Sequence, residues 1–187
     1  MKFEEGSLTL PLLPIQILWI NLVTDGGPAL ALGLDPVQHD VMRMPPRPRH
    51  EPVITSGMWW DIVFTGALIA ASTLFVLGTS LATDGRNVSR AQTMAFTTLM
   101  LSQMFNVFSA RSGVQSAFLH LGQNRWLWLA VASSILAHWF VLYTPVLQKA
   151  FSTVPIHVKD WIFSAAVAST VLWAQEVKKL IRRSATA

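Results

Sequence analysis

Five stretches of this chain, residues 12–34, 58–81, 91–110, 126–147 and 158–181, are each about as long as a helix that crosses a lipid bilayer. A hydrocarbon core of about 30 Å takes roughly 20 helical residues. The first four stretches hold at most one charged side chain apiece, Asp25 in the first and Asp61 in the second. The fifth is the weakest of the set, because its continuous apolar part stops near Ala174, before Gln175 and Glu176. Tryptophans mark several ends: Trp59 and Trp60 open the second run, Trp126 and Trp128 the fourth, and Trp161 the fifth. Indole rings favour the headgroup level, which fits helices that span. The expected fold class is therefore all-α, a polytopic membrane helical bundle of about five transmembrane helices.

Charge supports this solvent assignment. Only 13% of the residues are charged and 52% are hydrophobic, whereas a soluble domain has about 25% charged residues. The surplus apolar surface needs lipid, so the lipid bilayer is the first expected partner. The net charge of +4 comes mostly from residues that flank the apolar runs. No basic cluster interleaves with aromatics, so no nucleic acid partner is expected. The absence of cysteine excludes disulfides, thiolate metal sites and thiol catalysis. The opening residues "MKFEEGSLTLPLLPIQ" lack the basic-then-apolar layout of a cleavable signal peptide.

Counting lysines and arginines on alternate sides of five spans places five on one side and nine on the other. The richer side holds the 35–57 and 111–125 loops and the tail, and is expected to be cytosolic. The N-terminus then lies outside and the C-terminus inside. So short a segment ahead of a first span suggests that further chain precedes it.

One run is broken. Within "INLVTDGGPALALGLDP", Asn21, Thr24 and Asp25 sit near the middle of a stretch of about 34 Å if fully helical. Asn21 and Asp25 are four apart and share a face, with Thr24 beside them. An ionised carboxylate at that depth costs at least about 2.5–3.5 kcal/mol, so it needs a cation, a proton or a polar partner. Gly26, Gly27 and Pro28 loosen the helix at Asp25–Pro28, and Pro28 has no N–H to bond the carbonyl of Thr24. Oxygens are freed where carboxylate, amide and hydroxyl already gather, a device of ion transporters. "DGGP" is also an ordinary turn signal that could join two short segments outside the membrane. About ten apolar residues on each side are too few to span independently, which favours one interrupted helix.

These residues carry a family resemblance. "PIQILWINLVTDGGPALALGLDP" resembles the sixth transmembrane helix of P-type cation-transporting ATPases, the calcium pumps above all. "DVMRMPPRPRHEPVI" resembles the cytosolic loop that follows it, "LAHWFVLYTPVLQKAF" the ninth helix and its exit, and "QEVKKLIRR" the end of the tenth. The resemblance covers nearly the whole chain, from sixth to tenth helix, and implies a plasma-membrane protein. It implies that Asn21, Thr24 and Asp25 ligate the transported cation, Asp25 alternating between metal and proton. "LMLSQMFNVF" resembles the eighth helix, with Gln103 where two-ion pumps carry glutamate, which fits a single-site pump better. The implied cation is Ca2+, although Mn2+, Mg2+ or Na+ would also accept oxygen ligands.

The family's phosphorylated D-K-T-G-T string is absent, as are nucleotide-binding and actuator segments. ATP and Mg2+ would act only through those missing cytosolic domains, and the chain alone is expected not to hydrolyse ATP. Two functions remain: the membrane-domain portion of a pump, partnered by the rest of a P-type ATPase, or a truncated pump-derived protein that stands alone in an interaction or regulatory role. Among the five histidines no H-x-x-x-H pair occurs. His138 is expected to hydrogen-bond a neighbouring helix rather than relay protons, and Glu176 to be a surface charge.

Overall fold

The computed structural model describes residues 10–35, 50, 52–83, 87–111, 117 and 124–186. The basic residues Arg43, Arg47 and Arg49 of the loop after the first span lie outside the described residues. The described residues form helices and no strand: α1 (Pro14–Trp19), a π-helical turn (Ile20–Thr24), α2 (Gly26–Gly33), α3 (Ser56–Thr83), α4 (Val88–Ala110), α5 (Arg125–Tyr143), α6 (Pro145–Phe151) and α7 (Val158–Thr186). The all-α bundle is as expected.

Helix boundaries follow local chemistry. Pro14 opens α1, where a missing N–H costs nothing. Asn87 and Asn124 cap α4 and α5 by accepting from the N–H of Arg90 at 3.3 Å and of Leu127 at 3.0 Å. The apolar run 126–147 is not one helix. It ends at Tyr143, Thr144 turns extended, and Pro145 starts the short α6. Ser152 then closes α6 in the left-handed region at φ 52°.

Successive long helices run in opposite directions, as side-chain bonds at each end of the bundle show. At one end Asp61 of α3 meets Arg182 of α7, and Arg111, just past α4, meets Asp35, just past α2. At the other end Arg90 of α4 meets Asp160 of α7 at 2.8 Å. Helix α4 is the centre: α3 and α7 pack on it from one side, and α2 and α5 touch it from the other. Val76, Met94, Leu142 and Ile156 form one cluster of the core, and Ile20, Phe96, Val141 and Phe151 another.

The interior is unusually polar and the exterior unusually apolar. Thr93, Thr97, Thr98 and Ser102 of α4 are fully buried, while Leu22, Leu30, Trp60, Trp126 and Trp173 point outward. Each buried hydroxyl donates to a carbonyl one turn back, for example Thr98 to Met94 at 2.8 Å, so it needs no water. Such a distribution suits a lipid solvent rather than water. The helical stretches Pro14–Gly33, Ser56–Thr83 and Arg125–Tyr143 are long and apolar enough to cross a membrane.

Candidate cation site at the π turn

The break in the first span begins a turn earlier than Asp25–Pro28. At Ile20–Thr24 the backbone widens to a π turn, and the Asp25 N–H reaches back five residues to the Ile20 carbonyl at 2.9 Å. The Thr24 hydroxyl donates to the same carbonyl at 2.8 Å. Helical bonding resumes when the Ala29 N–H donates to the Asp25 carbonyl at 2.9 Å. Pro28 supplies no N–H, which leaves the Thr24 carbonyl without a helical donor. The Ser134 hydroxyl of α5 approaches that carbonyl at 3.4 Å. A methyl group at Gly26 would meet nothing within 4 Å, and one at Gly27 would sit 3.8 Å from the Ala130 side chain. These glycines therefore weaken the helix by their freedom, not by permitting close approach.

The three polar side chains do not share one environment. Thr24 is fully buried against the bundle, Asp25 is half-buried, and Asn21 is exposed on the outer surface. The wider turn carries Thr24 round to the face that packs on α5, while Asn21 stays on the open side. The three side chains expected beside one another thus differ in burial, Asn21 exposed, Asp25 half-buried and Thr24 turned inward. Among the described residues, the Asp25 carboxylate has no ion-pair partner, and no group of three or more His, Cys, Asp or Glu side chains could hold a metal. Gln103 and Asn106 are half-buried on α4.

Below the break, one cluster fixes the end of the helix. The Asn124 amide donates to the Ala31 carbonyl at 2.8 Å and to Asp35 at 2.9 Å, while its own oxygen caps α5. Arg111 donates to both oxygens of Asp35 at 3.0–3.2 Å. The ends of α2, α4 and α5 are thereby tied by one buried amide and one forked ion pair. Sequence reasoning passed over Ser134 and Asn124, since an isolated polar residue carries no sign of its partner.

Two other residues differ in their settings. Glu176 is buried, not a surface charge: its Oε1 accepts from the Ala117 N–H at 2.8 Å and from Lys179 at 3.4 Å. His138 is fully buried, and its Nε2 lies 3.1 Å from the Thr97 hydroxyl on α4, the interhelical hydrogen bond expected of it. Its ring packs on Phe96, with centroids 4.6 Å apart, and on Trp161.

Residues 9–181 match the family described as cation transporting ATPase, C-terminus. The chain belongs to that family. It is 44% identical over 156 residues to a calcium-transporting ATPase of Bacillus subtilis, which covers 83% of this chain and 18% of that protein. It is 37% identical over 174 residues to calcium-transporting ATPase 1 of Schizosaccharomyces pombe, covering 92% of this chain and 19% of the relative. The human calcium-transporting ATPase type 2C member 1 is 38% identical over 175 residues, 93% of this chain and 19% of its own length. The chain therefore spans somewhat under a fifth of the length of these relatives. Its membrane helices and its place in the cation-transporting ATPase family make it an integral membrane protein and the counterpart of the pumps' C-terminal membrane portion.

Proposed function

We propose that this chain is the membrane-domain portion of a P-type calcium transporter and supplies part of its intramembrane cation site. The observation that carries the reading is the half-buried Asp25 carboxylate, set at a π turn within an apolar span and without a counter-charge among the described residues. A carboxylate so placed is stable when a cation or a proton joins it. Asn21 and Asp25 form the open edge of the site, and Thr24 shapes the turn from within while remaining a member of the ligand set through its oxygens. Gln103 on α4 is the further amide oxygen. Calcium takes six to eight oxygens, so the remaining ligands come from helices beyond this chain that close over the exposed Asn21 face.

Helices α4 and α7 complete five crossings, α4 shielded from lipid by its neighbours and α7 carrying its charges toward its two ends. Arg111, Arg125, Lys178, Lys179, Arg182 and Arg183 gather at one end of the bundle, against Arg90, Lys149 and Lys159 at the other. The richer end is cytosolic and the membrane is the plasma membrane in this reading. ATP hydrolysis belongs to cytosolic domains of the complete pump.

The test is a chimera in which this segment replaces its counterpart in the Bacillus subtilis relative. Calcium-dependent ATPase activity is expected with the native segment and is expected to disappear with Asp25→Asn. Full calcium dependence in the Asp25→Asn chimera removes the residue from the site and the reading with it.

A further inference from the structure

Helix α5 holds the first span from the π turn onward. Its buried positions include Asn124, Leu127, Val131, Ser134 and His138, spaced alternately three and four apart, so one stripe of the helix turns inward. Thr24, Pro28 and Ala31 are the buried positions of the first span over this stretch, and α5 packs on both the π turn and α2. The two stripes run antiparallel. Ser134 meets the Thr24 carbonyl, and Asn124, earlier in α5, meets the later Ala31 carbonyl.

Ser134 behaves unlike the other buried hydroxyls. Those of Thr93, Thr97, Thr98 and Ser102 each donate to a carbonyl of their own helix. The Ser134 hydroxyl, on a residue only 3% exposed, reaches instead to another helix, donating to the Thr24 carbonyl at 3.4 Å. That carbonyl lacks the N–H that residue 28 of an ordinary helix would bring, because Pro28 has none. The peptide between Thr24 and Asp25 is planar, so its two polar ends move as one. At one end the Asp25 N–H donates to the Ile20 carbonyl at 2.9 Å, a bond within the span itself. At the other end Ser134 ties the same plane to α5. The Asp25 side chain departs from the next backbone atom, so the tilt of this plane sets where its carboxylate stands.

We propose that Ser134 is a positioning residue of the cation site, which fixes the Thr24–Asp25 peptide against α5 and so holds the Asp25 carboxylate ready for the cation. The inference rests on the reading of Asp25 as a ligand given above. Ser134 does not itself ligate, since its hydroxyl is engaged by the carbonyl. A ligand held in place beforehand loses less freedom when the cation binds. Loss of the hold therefore weakens affinity and leaves turnover at saturating calcium in place. A neutral hydrogen bond at the long end of the range is worth about three-fold in affinity.

The experiment uses the chimera with the Bacillus subtilis relative and reads both the half-saturating calcium concentration and the maximal ATPase rate. Ser134→Ala is expected to raise the half-saturating concentration about three-fold with the maximal rate kept. Ser134→Thr keeps the hydroxyl and is expected to restore the native value. Ser133→Ala removes an exposed hydroxyl that bonds only its own helix, at the Ala130 carbonyl, and is expected to change neither quantity. Thermal unfolding of the 187-residue chain gives a second measurement that needs no activity. Pro28→Ala supplies the Thr24 carbonyl with an N–H, so Ser134→Ala is expected to lower Tm less in that background than in the unaltered chain. An unchanged half-saturating concentration in Ser134→Ala overturns the proposal, whether or not the maximal rate or Tm falls. The same shift in Ser134→Thr as in Ser134→Ala overturns it too, as does an equal loss of Tm in both backgrounds. Failure here with calcium dependence abolished by Asp25→Asn leaves the reading of Asp25 standing, whereas full calcium dependence in Asp25→Asn removes both.

Discussion

Replacing Lys179 by methionine tests whether the buried charges at the end of α4 act as a unit. Lys179 Nζ donates to the Ser109 carbonyl at 2.9 Å and to Glu176 at 3.4 Å, with the two side chains only 5% and 11% accessible. Ser109 lies in the last turn of α4, where carbonyls lack helical donors and the helix dipole favours a cation. Lys179→Met keeps the apolar stem but removes the ammonium beside a buried carboxylate and leaves a carbonyl without its donor. Removing one partner of a buried pair costs about 3–5 kcal/mol. The long 3.4 Å contact and the Ala117 N–H that Glu176 keeps put the loss at the lower end, about 3 kcal/mol. For a chain of this size that lowers Tm by about 10 °C. Glu176→Gln alone is expected to cost about 1 kcal/mol, because glutamine still accepts from Ala117 and Lys179 still holds Ser109. The double variant Glu176→Gln with Lys179→Met removes the buried carboxylate together with the ammonium and is expected to recover about half of the loss. The assay is thermal unfolding in detergent, followed by the fluorescence of the eight tryptophans. A Tm for Lys179→Met within about 3 °C of the unaltered chain, or a double variant no better than the single one, refutes the reasoning.

Pro28→Ala gives the Thr24 carbonyl a donor and favours an ordinary α turn, so Tm is expected to rise by several degrees while calcium activation of the chimera falls; a lower Tm contradicts this account of the break. His138→Phe is expected to change stability by less than about 1 kcal/mol, because the ring packing survives and the Thr97 hydroxyl keeps its bond to the Thr93 carbonyl at 2.9 Å. A fall in Tm beyond about 8 °C shows instead that the imidazole holds α5 to α4. The purified chain is expected to form no phosphoenzyme from labelled ATP, and labelled protein at its mass disproves this.

Much of the bundle was legible as one-dimensional pattern. Apolar runs near bilayer length and tryptophans at their ends are local signals, and the helices appear where those signals lie. The polar break was legible too, because a carboxylate followed by two glycines and a proline has no place in an ordinary apolar helix. Where the break begins was not. The π turn opens at Ile20, upstream of the glycines, where the Asp25 N–H reaches back five residues to the Ile20 carbonyl. Ile20 and Thr24 are buried there while Asn21 is exposed.

Burial was equally hidden. Glu176, Lys179 and Asn124 read as surface charges or loop residues, since each stands beside polar neighbours in the chain. Their partners, Ala117, Ser109 and Ala31, lie 59, 70 and 93 residues away. The hydroxyl-rich run of α4 likewise gives no sign in the chain that this helix, rather than a more apolar one, is the centre. Hydropathy sums each residue's own preference for lipid or water, so it could name the solvent, the helices and the one carboxylate that needs a counter-charge. Which side of each helix turns to a neighbour depends on distances between residues far apart in the chain, and it was the packing of α2, α5 and α7 around α4 that settled it.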